Sequence, residues 1–301
     1  MKKVLPLLAV IGIIFLAGCI GQEEKKEEVK GKGVVIKSLT VEPEELEPEM
    51  EAMITLVVQN RGGAIAEDVS PQIIGLPRGE GEWTVIGPSP SSIPRLVPPD
   101  PERGVPEGEE AYITWTLRAP KKKITMTYDF QARVTYDYTT SSSCVIRLLS
   151  MDYYKQLLPS EREKRNWGVI QSSYSDGPLQ ITFSAPSPII SWDTIKKEEN
   201  ITGTANYPVP IWVKIENIGG GSVIGNISVT PTGVFNCSAS KLSLIGGKYA
   251  MLICKLNVTE FSNFKDYEPR FTFDYKYSID KWTSVKVLKE MELGLISPSR
   301  M

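Results

Sequence analysis

The sequence predicts an all-β protein built from two tandem copies of one β-sandwich unit. Three observations predict it. Apolar and polar residues alternate from Val34 onward, with turn signals recurring between the alternating runs. Segments of helical period are nearly absent beyond the leader. And the chain repeats itself. Ile54-Thr-Leu-Val-Val-Gln-Asn60-Arg-Gly-Gly63 matches Ile211-Trp-Val-Lys-Ile-Glu-Asn217-Ile-Gly-Gly220, 157 positions on. Ala111–Leu117 matches Ala250–Leu256, and Arg133-Val-Thr-Tyr-Asp-Tyr138 matches Arg270-Phe-Thr-Phe-Asp-Tyr275. In each block the apolar residues take alternate positions, so each reads as a strand with one buried face.

Composition limits the function. The chain has 301 residues, 41% hydrophobic and 23% charged, which is globular and long enough for two cores. Lys+Arg is 34 and Asp+Glu is 36, so no basic excess points to nucleic acid. Histidine is absent, which removes His-based triads and His-ligated metal sites.

The elements follow in order. Met1-Lys2-Lys3 is a short basic start, and Val4 to Leu16 is an apolar run too short to span a bilayer. Residues 1–18 therefore read as a signal peptide. The following Leu16-Ala17-Gly18-Cys19 resembles a lipobox, the processing site of prokaryotic lipoproteins. That resemblance implies that Cys19 becomes the lipidated N-terminus. Residues 19–33 carry mixed charge and few apolar side chains, and read as a solvated tether. The mature chain, without Lys2 and Lys3, has a small acidic excess, so the lipid and not charge does the anchoring. The expected location is the outer face of the cell membrane.

Residues 34–150 form the first unit and 177–290 the second. Each supports about seven strands, which fits an immunoglobulin-like sandwich. The strand ending in Asn60-Arg61-Gly62-Gly63, or Asn217-Ile218-Gly219-Gly220, and followed by Asp68-Val69 or Asn226-Ile227, resembles the CARDB type of Ig-like domain. Such domains occur in tandem on archaeal and bacterial surface proteins. The Gly18-Cys19-Ile20-Gly21 start and charged tether are similar to lipoproteins of archaea such as the Thermococcales. The resemblance implies fold more than function. The first unit carries a Pro-rich excursion, 76–108, where the second has a short connection. It is either a binding loop on a rigid scaffold or a cover for a sheet edge.

Residues 151–176 read as a linker, with Asp152–Leu158 a short helix stopped before Pro159 and Ser160-Glu-Arg-Glu163 starting a second turn. Residues 291–301 read as a C-terminal tail. Cys237 and Cys254 lie on neighbouring predicted strands, and export permits a disulfide between them. Cys144 is left as either a core thiol or an intermolecular link. Sequons at Asn200, Asn226, Asn236 and Asn257 all fall in or near the second unit and suggest N-glycosylation, least at Asn236 beside Cys237.

No nucleophile elbow, phosphate loop, dinucleotide fingerprint or zinc motif is present, so no catalytic residue, metal or cofactor is expected. The acidic runs Glu42–Glu49 and Glu107–Glu110 lack the spacing of a calcium loop and read as solvated surface. The sequence thus favours a lipid-anchored binding or scaffold protein of the cell envelope. Its expected partners are the membrane and an envelope protein or glycan. The alternatives are a substrate-binding or accessory lipoprotein of a transporter, which would alternate strand and helix, and an envelope carbohydrate-active enzyme using paired carboxylates.

Overall fold

The computed structural model describes residues 32–164, 168–185, 207–233, 235–258 and 263–290. They are predominantly strand. The first repeat supplies β1 (Val34–Glu42), β2 (Glu45–Leu46), β3 (Glu51–Asn60), β4 (Ala66–Ile74), β5 (Thr84–Ser89), β6 (Ile93–Leu96), β7 (Glu110–Arg118) and β8 (Met126–Leu149). Two short helices, α1 (Met151–Gln156) and α2 (Pro159–Lys164), and β9 (Gly168–Tyr174) follow. The second repeat supplies β10 (Leu179–Ser184), β11 (Tyr207–Asn217), β12 (Ser222–Pro231), β13 (Phe235–Cys237), β14 (Lys241–Leu242), β15 (Tyr249–Val258), β16 (Phe264–Tyr267) and β17 (Arg270–Val287).

The internal repeat is a repeat of strand order. One four-stranded sheet runs β1-β3-β7-β5, and its counterpart runs β10-β11-β15-β13. Both face a single larger sheet ordered β14-β12-β17-β8-β4-β6. Strand periodicity explains the layers. Ile54, Leu56 and Val58 on β3 and Ile211, Val213 and Ile215 on β11 are fully buried, while the alternate residues Met53 and Lys214 face out.

β8 and β17 weld the two halves. β8 is 24 residues long, and at about 3.3 Å per residue it extends roughly 80 Å, far beyond the usual strand of 3–10 residues. It pairs with β17 from Met126↔Val287 to Ser143↔Arg270, and with β16 from Ile146↔Tyr267 to Leu149↔Phe264, in one unbroken register. The middle of this ladder is Asp137↔Lys276, with Tyr138↔Tyr275 and Tyr136↔Tyr277 on either side. The two repeats are therefore related by a pseudo-two-fold axis, as the subunits of an isologous dimer are. Each long strand serves both halves. Ile279, Val285 and Val287 of β17 are buried beyond the axis on the side of β1 and β2, and Cys144, Ile146 and Leu148 of β8 are buried beyond it on the side of β9.

Four tyrosines fill the axis. Tyr136, Tyr138, Tyr275 and Tyr277 pack with ring centroids 5.8–6.3 Å apart. Their hydroxyls fasten the repeated turns. Tyr138 accepts from Ala64 N at 3.1 Å and donates to Asp176 O at 2.9 Å. Tyr277 accepts from Gly221 N at 3.0 Å and donates to Asn217 Oδ1 at 2.8 Å. This explains the Asn-x-Gly-Gly motif. The Asn side chain closes the turn on itself, Asn60 Nδ2 to Ala64 O and Asn217 Nδ2 to Gly221 O. The first glycine makes room for the tyrosine, because a Cβ on Gly62 would lie 1.9 Å from the Tyr138 hydroxyl and one on Gly219 2.4 Å from that of Tyr277. Tyr277, and not Tyr275, is thus the counterpart of Tyr138. The sequence match of Tyr138 to Tyr275 is displaced by one strand period, which leaves the buried face unchanged.

Two further segments differ from expectation. The excursion 76–108 is not one loop. It carries β5, which pairs with β7, and β6, which pairs with β4, so it supplies an edge strand to each sheet. The second repeat makes the same two edges with β13 and β14 in fewer residues. The stretch 151–176 holds both short helices but also β9, which pairs with β8. The signal peptide, Cys19, the tether up to residue 31, Asn200 and the tail 291–301 lie outside the described residues.

Candidate functional site

The outward residues of β8, β17 and their neighbours make one polar face spanning both repeats. It carries two shallow grooves. The first lies on the pseudo-two-fold axis, encloses about 510 Å³ and is lined by Ala64, Ile65, Glu67, Asp137, Thr139, Asp274 and Lys276 among others. Its polar groups are largely spent on one another: Lys276 Nζ lies 3.4 Å from Asp137, and Thr139 Oγ1 donates to Asp274 at 2.7 Å.

The second groove, about 540 Å³, lies over the half of β8 that reaches into the second repeat. β9, β8 and β17 bring Ser173 and Ser175, Ser141 and Ser143, and Arg270 and Thr272 side by side, with Tyr174 and Thr232 at its margins. The hydroxyls of Ser143 and Ser173 are 2.9 Å apart, Ser175 Oγ accepts from Ser141 N at 3.0 Å, and Thr232 Oγ1 donates to Arg270 O at 3.0 Å. Among the described residues, Arg270 is the one charged residue lining this groove.

Two other arginines on this face, Arg133 and Arg147, are neutralised. Arg133 makes a two-pronged contact with Asp280 at 2.8 Å on each prong, and Arg147 does the same with Asp266 at 2.7 and 2.6 Å. The hydrogen bonds to these carboxylates raise both guanidinium pKa values, and Arg147 lowers that of Asp266. Exposed pairs of this kind are worth at most about 1 kcal/mol each, so they serve the surface pattern more than stability.

The residues singled out by sequence fall as follows. Cys237 and Cys254 stand directly opposite on β13 and β15 and are joined by a disulfide, with Cα atoms 3.8 Å apart. In the first repeat the position of Cys254 is taken by the buried Trp115. Cys144 is a free thiol buried on β8, and burial pushes its pKa up to about 12, so it carries no thiolate at neutral pH. Asn226 and Asn236 are exposed, and Asn226 Oδ1 accepts from Ser243 Oγ at 2.6 Å. Asn257 lies in β15, opposite Pro208.

Part of each acidic run is engaged by the protein itself. Lys286 pairs with Glu45, Lys121 with Glu49 and Arg118 with Glu51, while Glu109 accepts from Val97 N and Glu110 pairs with Lys37. Among the described residues, no group of three or more Cys, Asp or Glu side chains is placed to hold a metal, and no helix is long and apolar enough to cross a membrane.

The hydroxyl-lined groove is what sequence reading missed. A signal for it exists in the unbroken run Thr139-Thr140-Ser141-Ser142-Ser143, which puts hydroxyls on both faces of a strand whose flanks alternate aromatic and polar.

No family model matches the chain, and no curated protein matches it. Among solved structures it is similar to the secreted serine protease VesC from Vibrio cholerae, at 10% identity and a TM-score of 0.23, covering 89% of this chain and 53% of that one. The chain thus spans about half the length of that protease. It is also similar to the collagen adhesin CNA from S. aureus, at 10% identity and a TM-score of 0.12, covering 84% of this chain and 92% of that one. Both scores are too low for either likeness to bear on activity.

Proposed function

We propose that this protein is a lipid-anchored surface protein of a prokaryotic, archaeal-type envelope, in which two tandem immunoglobulin-like repeats act as one binding or scaffold plate. The β8–β17 ladder carries the reading. A continuous ladder of 18 residue pairs, about 60 Å long, resists bending between the repeats and carries one polar face across both, which suits docking and spacing better than turnover. The point of entry of the chain agrees with it. Arg61 N donates to Gly33 O, and Lys32 pairs with Asp176 at 2.9 Å, so the tether reaches the plate at its waist, beside the tyrosine axis, and not at one tip. Lys32 lies thirteen residues along the chain from Cys19, at most about 45 Å of extended chain, which keeps the plate close to the membrane surface. The disulfide agrees with an oxidising location.

The test is fractionation of cells carrying Cys19→Ser. The variant is expected in the soluble or secreted fraction, or as an unprocessed precursor. Normal processing with unchanged membrane retention would refute lipid anchoring. Cross-linking of the wild-type protein in intact cells then identifies what the plate touches, and a reproducible envelope protein or glycan is the expected result.

A further inference from the structure

We infer that the groove around Arg270 is a binding site for an acidic saccharide, one bearing carboxylate or sulfate groups. This rests on the reading of the polar face as a binding surface and names its ligand class. The pseudo-two-fold axis supplies an internal control. The ladder register that equates Tyr138 with Tyr277 also equates Arg270 with Gln131, Thr272 with Arg133, Ser141 with Asp280 and Ser143 with Trp282. In the first repeat these positions hold a guanidinium already closed on its own carboxylate, Arg133 on Asp280. In the second repeat the carboxylate is replaced by Ser141, and an exposed Arg270 makes no ion pair among the described residues. The same fold is therefore satisfied either way, and the unpaired cation is not needed to build the sheet.

The chemistry around Arg270 narrows the ligand. A guanidinium offers a planar fork of donors and no acceptor, which suits carboxylate and sulfate oxygens. Ser141, Ser143, Ser173, Ser175 and Thr272 surround it with groups that both donate and accept, the pattern that matches sugar hydroxyls. The hydroxyls of Ser141 and Thr272 make no bond within the protein among the described residues, and both lie beside Arg270 on the outward face. The groove is broad and shallow, so an extended chain of sugars fits it better than a small molecule needing enclosure. An acidic peptide would bring backbone amides and side chains seeking apolar pockets, and the lining offers few of these.

The experiment titrates the full-length protein in detergent at low salt with polygalacturonate, dextran sulfate, neutral dextran and polyglutamate. The expected result is that polygalacturonate or dextran sulfate binds, that affinity falls with added salt, and that neutral dextran and polyglutamate bind far more weakly. Which of the two binds tells carboxylate from sulfate recognition. Arg270→Gln should weaken binding by about tenfold or more, the effect of losing one charge-assisted contact. Arg133→Gln, in the corresponding patch of the first repeat, should leave it unchanged, and Arg270→Lys should retain part of it. Arg270 is exposed, so its variants fold. No binding to either acidic polysaccharide, equal binding of neutral dextran, preference for polyglutamate, or full affinity in Arg270→Gln would each overturn the assignment. Such a failure in a protein still held at the membrane through Cys19 removes the ligand class and leaves the surface-binding reading in place.

Discussion

A chain ending after Ser150 should not yield a stable folded monomer. That fragment keeps every strand of the first repeat but loses β17. Ile279, Val285 and Val287 are then missing from the first half of the core, and Leu46 loses the backbone partner beside it. Three buried aliphatic side chains are worth roughly 5–9 kcal/mol, against a total stability of about 5–15 kcal/mol for an ordinary domain. The fragment's own β8 adds to the problem, because Cys144, Ile146 and Leu148 lose the second repeat that covers them. A homodimer could restore the ladder only by placing Asp137 opposite Asp137, where the intact chain places Lys276. Circular dichroism and sedimentation of residues 32–150 check this. A cooperative, concentration-independent monomer would contradict it.

The tyrosine axis makes a second large effect. Tyr138 is held to a pKa of about 12, first by burial, against an ordinary value near 10. Burial also raises Tyr136, Tyr275 and Tyr277. The sign follows from linkage. Below about pH 10 all four are protonated in both states and contribute no pH dependence. Above it the unfolded chain releases protons that the folded chain retains, so stability falls as pH rises, until the folded pKa is reached. Each unit costs about 1.4 kcal/mol per tyrosine, so Tyr138 alone removes about 3 kcal/mol between pH 10 and 12. Three neighbours shifted the same way by burial add to this loss. Tyrosinate absorbance from the axis should therefore appear together with loss of near-ultraviolet dichroism, as one cooperative event. Ionisation of all tyrosines near pH 10 with the fold intact would contradict the packing described for the axis.

Much of the fold was legible in the sequence because it is local. Alternation in Ile54–Val58 and Ile211–Ile215 is enough to assign a strand and its buried face, and Asn-x-Gly-Gly is enough to assign the turn. The short helices before and after Pro159 and the pairing of Cys237 with Cys254 were also readable from spacing and neighbouring strands. What was not legible depends on strand register over long separations. A shift of two residues keeps every side chain on its face, so Val-x-Tyr-x-Tyr138 matches Phe-x-Phe-x-Tyr275 as readily as the true counterpart ending at Tyr277. For the same reason no pattern in 126–149 reveals that its far half completes the other repeat. The candidate groove was hidden by this same gap. Arg270 is recognisable as an unpaired cation only once β8 and β9 are known to bring serines, and no carboxylate, beside it.

The most direct test of the central claim, that the two repeats are one folding unit, is native-state hydrogen exchange resolved along the chain. Amides of β3 and β7 in the first repeat and of β11 and β15 in the second should open with the same free energy and the same denaturant dependence, because neither sandwich survives loss of the other. Exchange of β11 and β15 through a separate opening several kcal/mol below that of β3 and β7, or the reverse, would show two independently folding domains and contradict the account.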